Sequence, residues 1–164
     1  MRPEDAYWAA RIVMAFTDED IRTIVHTGEL TDRAAEQYLV ETLIKRRDKI
    51  GRHWLNATNS ADHFQVIDDH VSFECLSADY TLATQPKEYQ IRWFEYDNER
   101  EVRKPETESN STGTSTSLTI PSRFNNENFR GYYGVEITDS HGTVVAFLRK
   151  TSPAKTEIVA VQRL

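Results

Sequence analysis

Apolar side chains in the first fifty-odd residues recur at intervals of three and four. Tyr7, Trp8, Ala10, Arg11, Ile12, Ala15 and Phe16 place aromatic and aliphatic groups three and four apart, the spacing that winds into an amphipathic helix. Pro3 suits a first helical turn, and Glu4 and Asp5 suit the positive end of its dipole. Thr17 followed by Asp20 reads as a capping box ahead of a second stripe, Ile21, Ile24 and Val25. Gly28 is placed to take a positive φ and stop that helix. Thr31 or Asp32 then caps a longer third helix, with Ala35, Tyr38, Leu39, Thr42, Leu43, Arg46 and Ile50 along one side. So few large aliphatics make a thin core, and the spacing predicts that residues 1–58 lean on the remainder of the chain or on another protein.

Past residue 60 the rhythm changes to two. Val71, Phe73 and Cys75 alternate with Ser72 and Glu74; Tyr89, Ile91 and Trp93 with Gln90 and Arg92; Tyr133, Val135 and Ile137 with Gly134 and Glu136. Phe64 to Ile67, Leu118–Ile120, Val145–Phe147 and Val159–Val161 bring the count to about seven short strands. Turn signals separate them at Asp68-Asp69, Asp97-Asn98, Asp139 to Gly142, and Ser152-Pro153. Strands without intervening helices pair antiparallel. The expected fold is therefore α+β: a segment of about three helices, then an antiparallel β-sandwich of immunoglobulin or fibronectin III type over residues 62–164. The last three strands read as a meander. The stretch 100–116, REVRKPETESNSTGTST, is rich in Ser, Thr and Glu and reads as a mobile loop near 99–116.

Composition narrows the function more than it defines it. Hydrophobic residues make up 38% of the 164, enough for a core, and the net charge of −6 disfavours a nucleic-acid partner. No apolar run reaches the length of a membrane span, and the N-terminus lacks the layout of a signal peptide, so a cytoplasmic location is expected. Cys75 is the single cysteine and alternates in phase with core positions, which favours packing over catalysis. His63, Asp68, Asp69 and His70 carry metal-ligand chemistry, but their spacing reads better as a hairpin turn. Asp139-Ser140-His141 holds the residue types of a hydrolase triad, yet three neighbours in one turn do not place a base between nucleophile and acid. No Gly-rich phosphate cradle is present, and no cofactor is expected.

Two surface features remain. Lys45, Arg46, Arg47, Lys49 and Arg52 form a basic run, a candidate patch for an anion or an acidic partner. Phe94, Tyr96 and Tyr132 fall on the phase opposite to Trp93 and Tyr133, so they line an outward face of the sandwich. That face either binds a partner or, the preferred expectation, receives the three helices.

The segment DAYWAARIVMAFTDEDIRTIV, followed by LIKRRDKIGRHWL, resembles the C-terminal portion of a family of long, uncharacterised bacterial proteins, over roughly residues 3–55. The resemblance implies the tail of a larger body, one with a kinase-like fold. Gly-rich loop, catalytic loop and DFG motif are all missing from this sequence, and no functional residue is carried over. The resulting expectation is a non-enzymatic accessory or interaction module whose partner is an upstream domain or another protein chain. An enzyme fragment completed by other residues and a glycan-binding sandwich are the alternatives.

Overall fold

The computed structural model of the chain describes residues 3–84, 86, 88–153 and 155–164. Three front helices occupy the expected places: α1 (Pro3–Met14), α2 (Asp18–His26) and α3 (Arg33–Trp54). The capping box before α2 is fully formed, because Thr17 Oγ1 accepts from the Asp20 backbone while the Asp20 carboxylate accepts from Thr17 N–H at 2.8 Å. Asp32, not Thr31, caps α3 by accepting from Ala34 N–H at 2.8 Å. Gly28 does sit just beyond α2, but the left-handed turn falls on Glu29, with φ of 47°. The helices pack around α3, with Ile21 and Val25 of α2 set against Val40.

The β region comprises β1 (Ala61–Ile67), β2 (His70–Cys75), β3 (Tyr89–Asp97), β4 (Val102–Gly113), β5 (Ser117–Thr119), β6 (Gly131–Asp139), β7 (Gly142–Ser152) and β8 (Lys155–Arg163). Two one-turn helices, α4 (Leu76–Asp79) and α5 (Ser122–Asn125), interrupt the strands. All pairings are antiparallel and form two sheets, β1-β2-β5 and β4-β3-β6-β7-β8. The expected meander is β6-β7-β8; Ala154, in its second turn, lies outside the described residues. Val71 and Phe73 from the small sheet share one core with Ile91, Trp93, Tyr133, Val135 and Val144 from the large one.

The expected loop at 99–116 is corrected: residues 102–113 are β4, the edge strand of the large sheet. Its polar composition does not prevent this. An edge strand with one face in water needs backbone pairing more than apolar burial, and Thr is a good strand former. Pairing with β3 runs from Asp97↔Val102 to Trp93↔Glu106, breaks at a bulge, and resumes at Ile91↔Ser111.

Phe94 has its ring across the β6 backbone at Gly134, its register partner. A Cβ at position 134 would strike that ring and meet the Ala146 carbonyl oxygen at 2.8 Å. Gly134→Ala is therefore expected to lower stability by about 1–3 kcal/mol, the cost of overpacking, read as a lower urea midpoint at unchanged m-value. An unchanged midpoint would show that Phe94 is free to move.

The Thr17 hydroxyl, and after it the Thr17 N–H, hold the Asp20 carboxyl below its ordinary value. A depressed carboxyl contributes stability above its unfolded-state pKa and loses it as pH falls through the folded-state value. As pH falls from the ordinary carboxyl range through that lowered value, protection factors of the amides in the first turn of α2 should drop in the wild type, and Thr17→Ala should remove most of that pH dependence.

Candidate functional site

The most densely built polar cluster joins the helices to one end of the sheets. Ala61 and Asp62, consecutive on β1, are both buried, Ala61 in the core shared by the sheets and Asp62 against Tyr7, Arg11 and Arg163; a register irregularity follows between Asp62 and Gln65. His63 takes a φ of 48° at this point, and its N–H donates to Asp62 Oδ1 at 2.8 Å. The other carboxylate oxygen receives three groups: Tyr7 O–H at 3.0 Å, Arg11 Nε at 3.1 Å and Arg163 Nη2 at 3.3 Å. The Arg163 side chain is 2% exposed, and its Nη2 also donates to the Ala61 carbonyl at 2.8 Å. Its guanidinium lies 3.8 Å from the Tyr7 ring centroid and 5.1 Å from that of Trp8. Nε and Nη1 of Arg163 have no hydrogen-bond partner among the described residues, and the guanidinium lies against the two aromatic rings. Burial raises the Tyr7 phenol above its ordinary value, while the Arg163 charge pulls it down. The cluster pairs the buried Asp62 carboxylate with Arg11 and Arg163 and so ties α1 to β1 and β8, which makes it a structural joint.

Beside it opens a cavity of about 540 Å³, bordered by Thr58, Ser60, Ser77, Glu88, Asp139 and His141 among others. Cys75 lies buried beneath it, with its thiol 3.2 Å from Ser60 Oγ, and Ser60 bonds Ser77 at 2.9 Å. The thiol meets the hydroxyls of Ser60 and Ser77. At the rim, Asp139 accepts the His141 backbone N–H at 2.7 Å, an ordinary turn bond.

A relay-like line exists elsewhere. Asp69 Oδ1 lies 2.6 Å from His70 Nδ1, and His70 Nε2 lies 3.2 Å from the Thr119 hydroxyl. His70 and Thr119 are register partners on β2 and β5. The side chains of His70 and Asp69 are 42% and 49% exposed, so water competes for both contacts. His63 in turn faces Glu74. The sequence grouped His63, Asp68, Asp69 and His70; the structure separates His63 from the other histidine by giving each its own carboxylate.

The outward aromatics are brought together, but not as an open face. Phe94 is 3% exposed, and Tyr96 and Tyr132 are half-buried. Phe147 joins them, edge-on to Phe94 and Tyr96. The Arg103 guanidinium covers Phe94 at 5.1 Å and Phe147 at 5.4 Å, and is held there by Glu136 at 2.6 Å and Gln162 at 3.2 Å. Arg149 stacks on Tyr132 at 5.6 Å. The expectation that the helices dock on this face is overturned. They attach at the β1–α4 end, through the Asp62 cluster and through Leu76, which packs with Tyr7, Ala10, Met14 and Leu55. Two arginines do the covering instead.

The basic run also divides. Arg47 is a structural residue: it donates to Asp18 at 2.7 Å, to the Phe16 carbonyl at 2.8 Å and to Asp48, tying α2 to α3. Lys45, Arg46, Lys49 and Arg52 are exposed on α3. Sequence reasoning missed Asp62 and Arg163. The available signal was an acid directly beside an apolar strand position and a basic residue ending an apolar strand, each out of keeping with its neighbours.

The remaining feature is apolar. Among the described residues, twelve large hydrophobic residues are well exposed, and eight of them run from Trp8 to Ile50. Trp8, Ile12 and Phe16 follow one another at four-residue spacing, with Ile12 66% exposed. Phe16 and Ile24 line a shallow groove between α1 and α2.

The chain is thus an α+β protein of two antiparallel sheets with a helical front, and no helix among the described residues is long and apolar enough to cross a membrane. Comparison with protein-family models, with curated proteins and with solved structures finds no match.

Removing the Asp62 carboxylate leaves the buried Arg163 uncompensated. Asp62→Ala is expected to cost about 3–5 kcal/mol, and Asp62→Ala with Arg163→Met clearly less than the two single changes added. Additive losses in urea unfolding would show that the two residues act independently.

Proposed function

We propose that the chain is a non-enzymatic interaction module that binds a protein partner through its helical front. One observation carries this reading: the uncovered large apolar residues are concentrated on the helices, while the aromatic face of the sheet is closed by Arg103 and Arg149. Ile12 and Phe16 are 66% and 45% exposed and adjoin Trp8, which stays 41% exposed with Arg11 and Arg163 over its ring; a contiguous apolar row of this kind is what an interaction surface offers. The two sheets with their shared core act as the scaffold that fixes where this surface points.

The strand order supports the finer description of that scaffold as an immunoglobulin- or fibronectin III-like sandwich. Numbering strands along the chain, the immunoglobulin constant domain pairs 1-2-5-4 and 3-6-7. Here the sheets run 1-2-5 and 4-3-6-7-8. The same order results when the fourth strand moves to the other sheet and an eighth is added. A tail of a longer bacterial protein, as residues 3–55 suggest by resemblance, has use for such an attachment face. The glycan-binding reading has less support, because Phe94 is 3% exposed beneath Arg103 and Arg149 lies over Tyr132, which leaves Tyr96 as a half-buried ring on that face.

A hydrolytic reading rests on the Asp69–His70–Thr119 line. An activated hydroxyl there would react with a fluorophosphonate probe in wild type and not in Thr119→Val. No labelling is expected.

A photocrosslinking residue placed at Ile12 in cells should give discrete protein adducts, and the same residue at Tyr132 should give none. Adducts only from Tyr132, or adducts from neither position, would contradict the assignment of the surface to the helices.

A further inference from the structure

The cavity beside the Asp62 joint takes its walls from both parts of the molecule. Thr58 and Ser60 come from the link between α3 and β1, and Ser77 from α4. Glu88 comes from the approach to β3, and Asp139 and His141 from the end of β6 and the turn after it. A volume of about 540 Å³ falls within the range of small-molecule sites. Two hydroxyls in the wall are almost fully buried, Ser60 at 3% and Ser77 at 5% exposed. With the Cys75 thiol they form a closed ring of contacts, 2.9, 3.2 and 3.6 Å long. The ring engages the hydrogen of each of its three groups, so each oxygen is left with a lone pair and no hydrogen to donate. Asn56 Nδ2 is engaged as well, with the Arg52 carbonyl at 2.8 Å. Thr58 Oγ1 is buried and has no hydrogen-bond partner among the described residues, a state that costs free energy until a partner arrives. The Glu88 and Asp139 carboxylates add acceptors, and among the described residues no lysine or arginine lines the cavity.

We propose that this cavity binds a small primary amine, held by its ammonium group. A wall of acceptors is complemented by a group made only of donors, and an ammonium carries three N–H donors and no acceptor. A carboxylate or phosphate ligand would meet the serine oxygens and the two carboxylates lone pair to lone pair. A neutral diol satisfies the hydroxyls, but its bonds to Glu88 and Asp139 lack the strength that a charge on the donor adds. Leu55, Ala83 and Pro86 supply apolar wall for the carbon chain of the ligand. The site shares no residue with the Trp8–Ile12–Phe16 row, so it stands whether or not the helical front binds a protein.

Isothermal titration calorimetry of the full chain with three four-carbon probes, diaminobutane, butanediol and succinate, tests this at physiological salt. The diamine is expected to bind one site per chain, and the diol and succinate roughly tenfold more weakly or less well still. Glu88→Gln/Asp139→Asn should weaken the diamine roughly tenfold or more, the effect of losing charge-assisted bonds. Glu99→Gln/Glu108→Gln removes two exposed acids away from the cavity and should leave diamine binding unchanged, which separates a site from general attraction to an acidic surface. Thr58→Val keeps the side-chain shape and removes the orphaned oxygen. It should also weaken the diamine, with a urea midpoint unchanged or higher, and it serves alone should the carboxylate variant fail to fold. Equal binding of butanediol or succinate overturns the proposal. So does diamine binding that survives either set of cavity substitutions, and so does the lack of any diamine binding up to about 10 mM, where even a weak site would fill.

Discussion

One carboxylate holds this molecule together across its two parts. Asp62 sits where the first strand leaves the helices, and its Oδ2 gathers Tyr7 and Arg11 from α1 and Arg163 from the end of β8. Three elements far apart in the chain are thereby fixed to one atom. A buried charge of this kind tolerates no loss of a partner, because water cannot replace what is withdrawn. The register irregularity at Asp62–Gln65 and the left-handed backbone at His63 fall in the same place, where the His63 N–H donates to the carboxylate's other oxygen. The apolar contact of Tyr7, Ala10 and Met14 with Leu55 and Leu76 gives the joint its area. The ions give it its register.

The location of the joint decides which surfaces are free. Because the helices attach at an end of the sheets, the broad aromatic face of β3, β6 and β7 needs another cover. Arg103 supplies it from the edge strand, lying over Phe94 and Phe147 while Glu136 and Gln162 hold its nitrogens. The helices, anchored by one end, leave the outer sides of α1 and α3 uncovered. Closure of the sheet and openness of the helices are two results of one attachment.

Much of this was legible in the sequence, and the failures have physical causes. The change of period near residue 60 placed three helices and seven strands, and the Thr17–Asp20 pair identified a real cap. Phase along β3 and β6 correctly separated Trp93 and Tyr133, in the core, from Phe94, Tyr96 and Tyr132 on the other face. Periodicity reports which way a side chain leaves its strand. It does not report that an arginine nine residues away will return to cover it, or that Gly134 leaves space for a ring to lie flat. The β4 strand was hidden for a related reason: hydrogen bonds to β3 carry it, and these leave no mark in a hydropathy pattern. Arg47 looked like a member of a basic patch because a helix face is defined by several residues, while two of its partners, Asp18 and the Phe16 carbonyl, come from the α1–α2 junction, 29 and 31 residues earlier in the chain. The joint was the least visible of all, since Tyr7, Asp62 and Arg163 meet only in three dimensions.

Native-state hydrogen exchange, read by mass spectrometry on wild type and on Asp62→Asn, tests the role of that carboxylate most directly. If Asp62 fixes the helical front to the sheets, α1 amides in the wild type exchange only slightly faster than those of β6 and β7. In the variant, α1 should accelerate strongly while β6 and β7 keep their protection relative to each other. Equal acceleration of all three elements, or no change in α1, would contradict the claim that this one side chain joins the two parts.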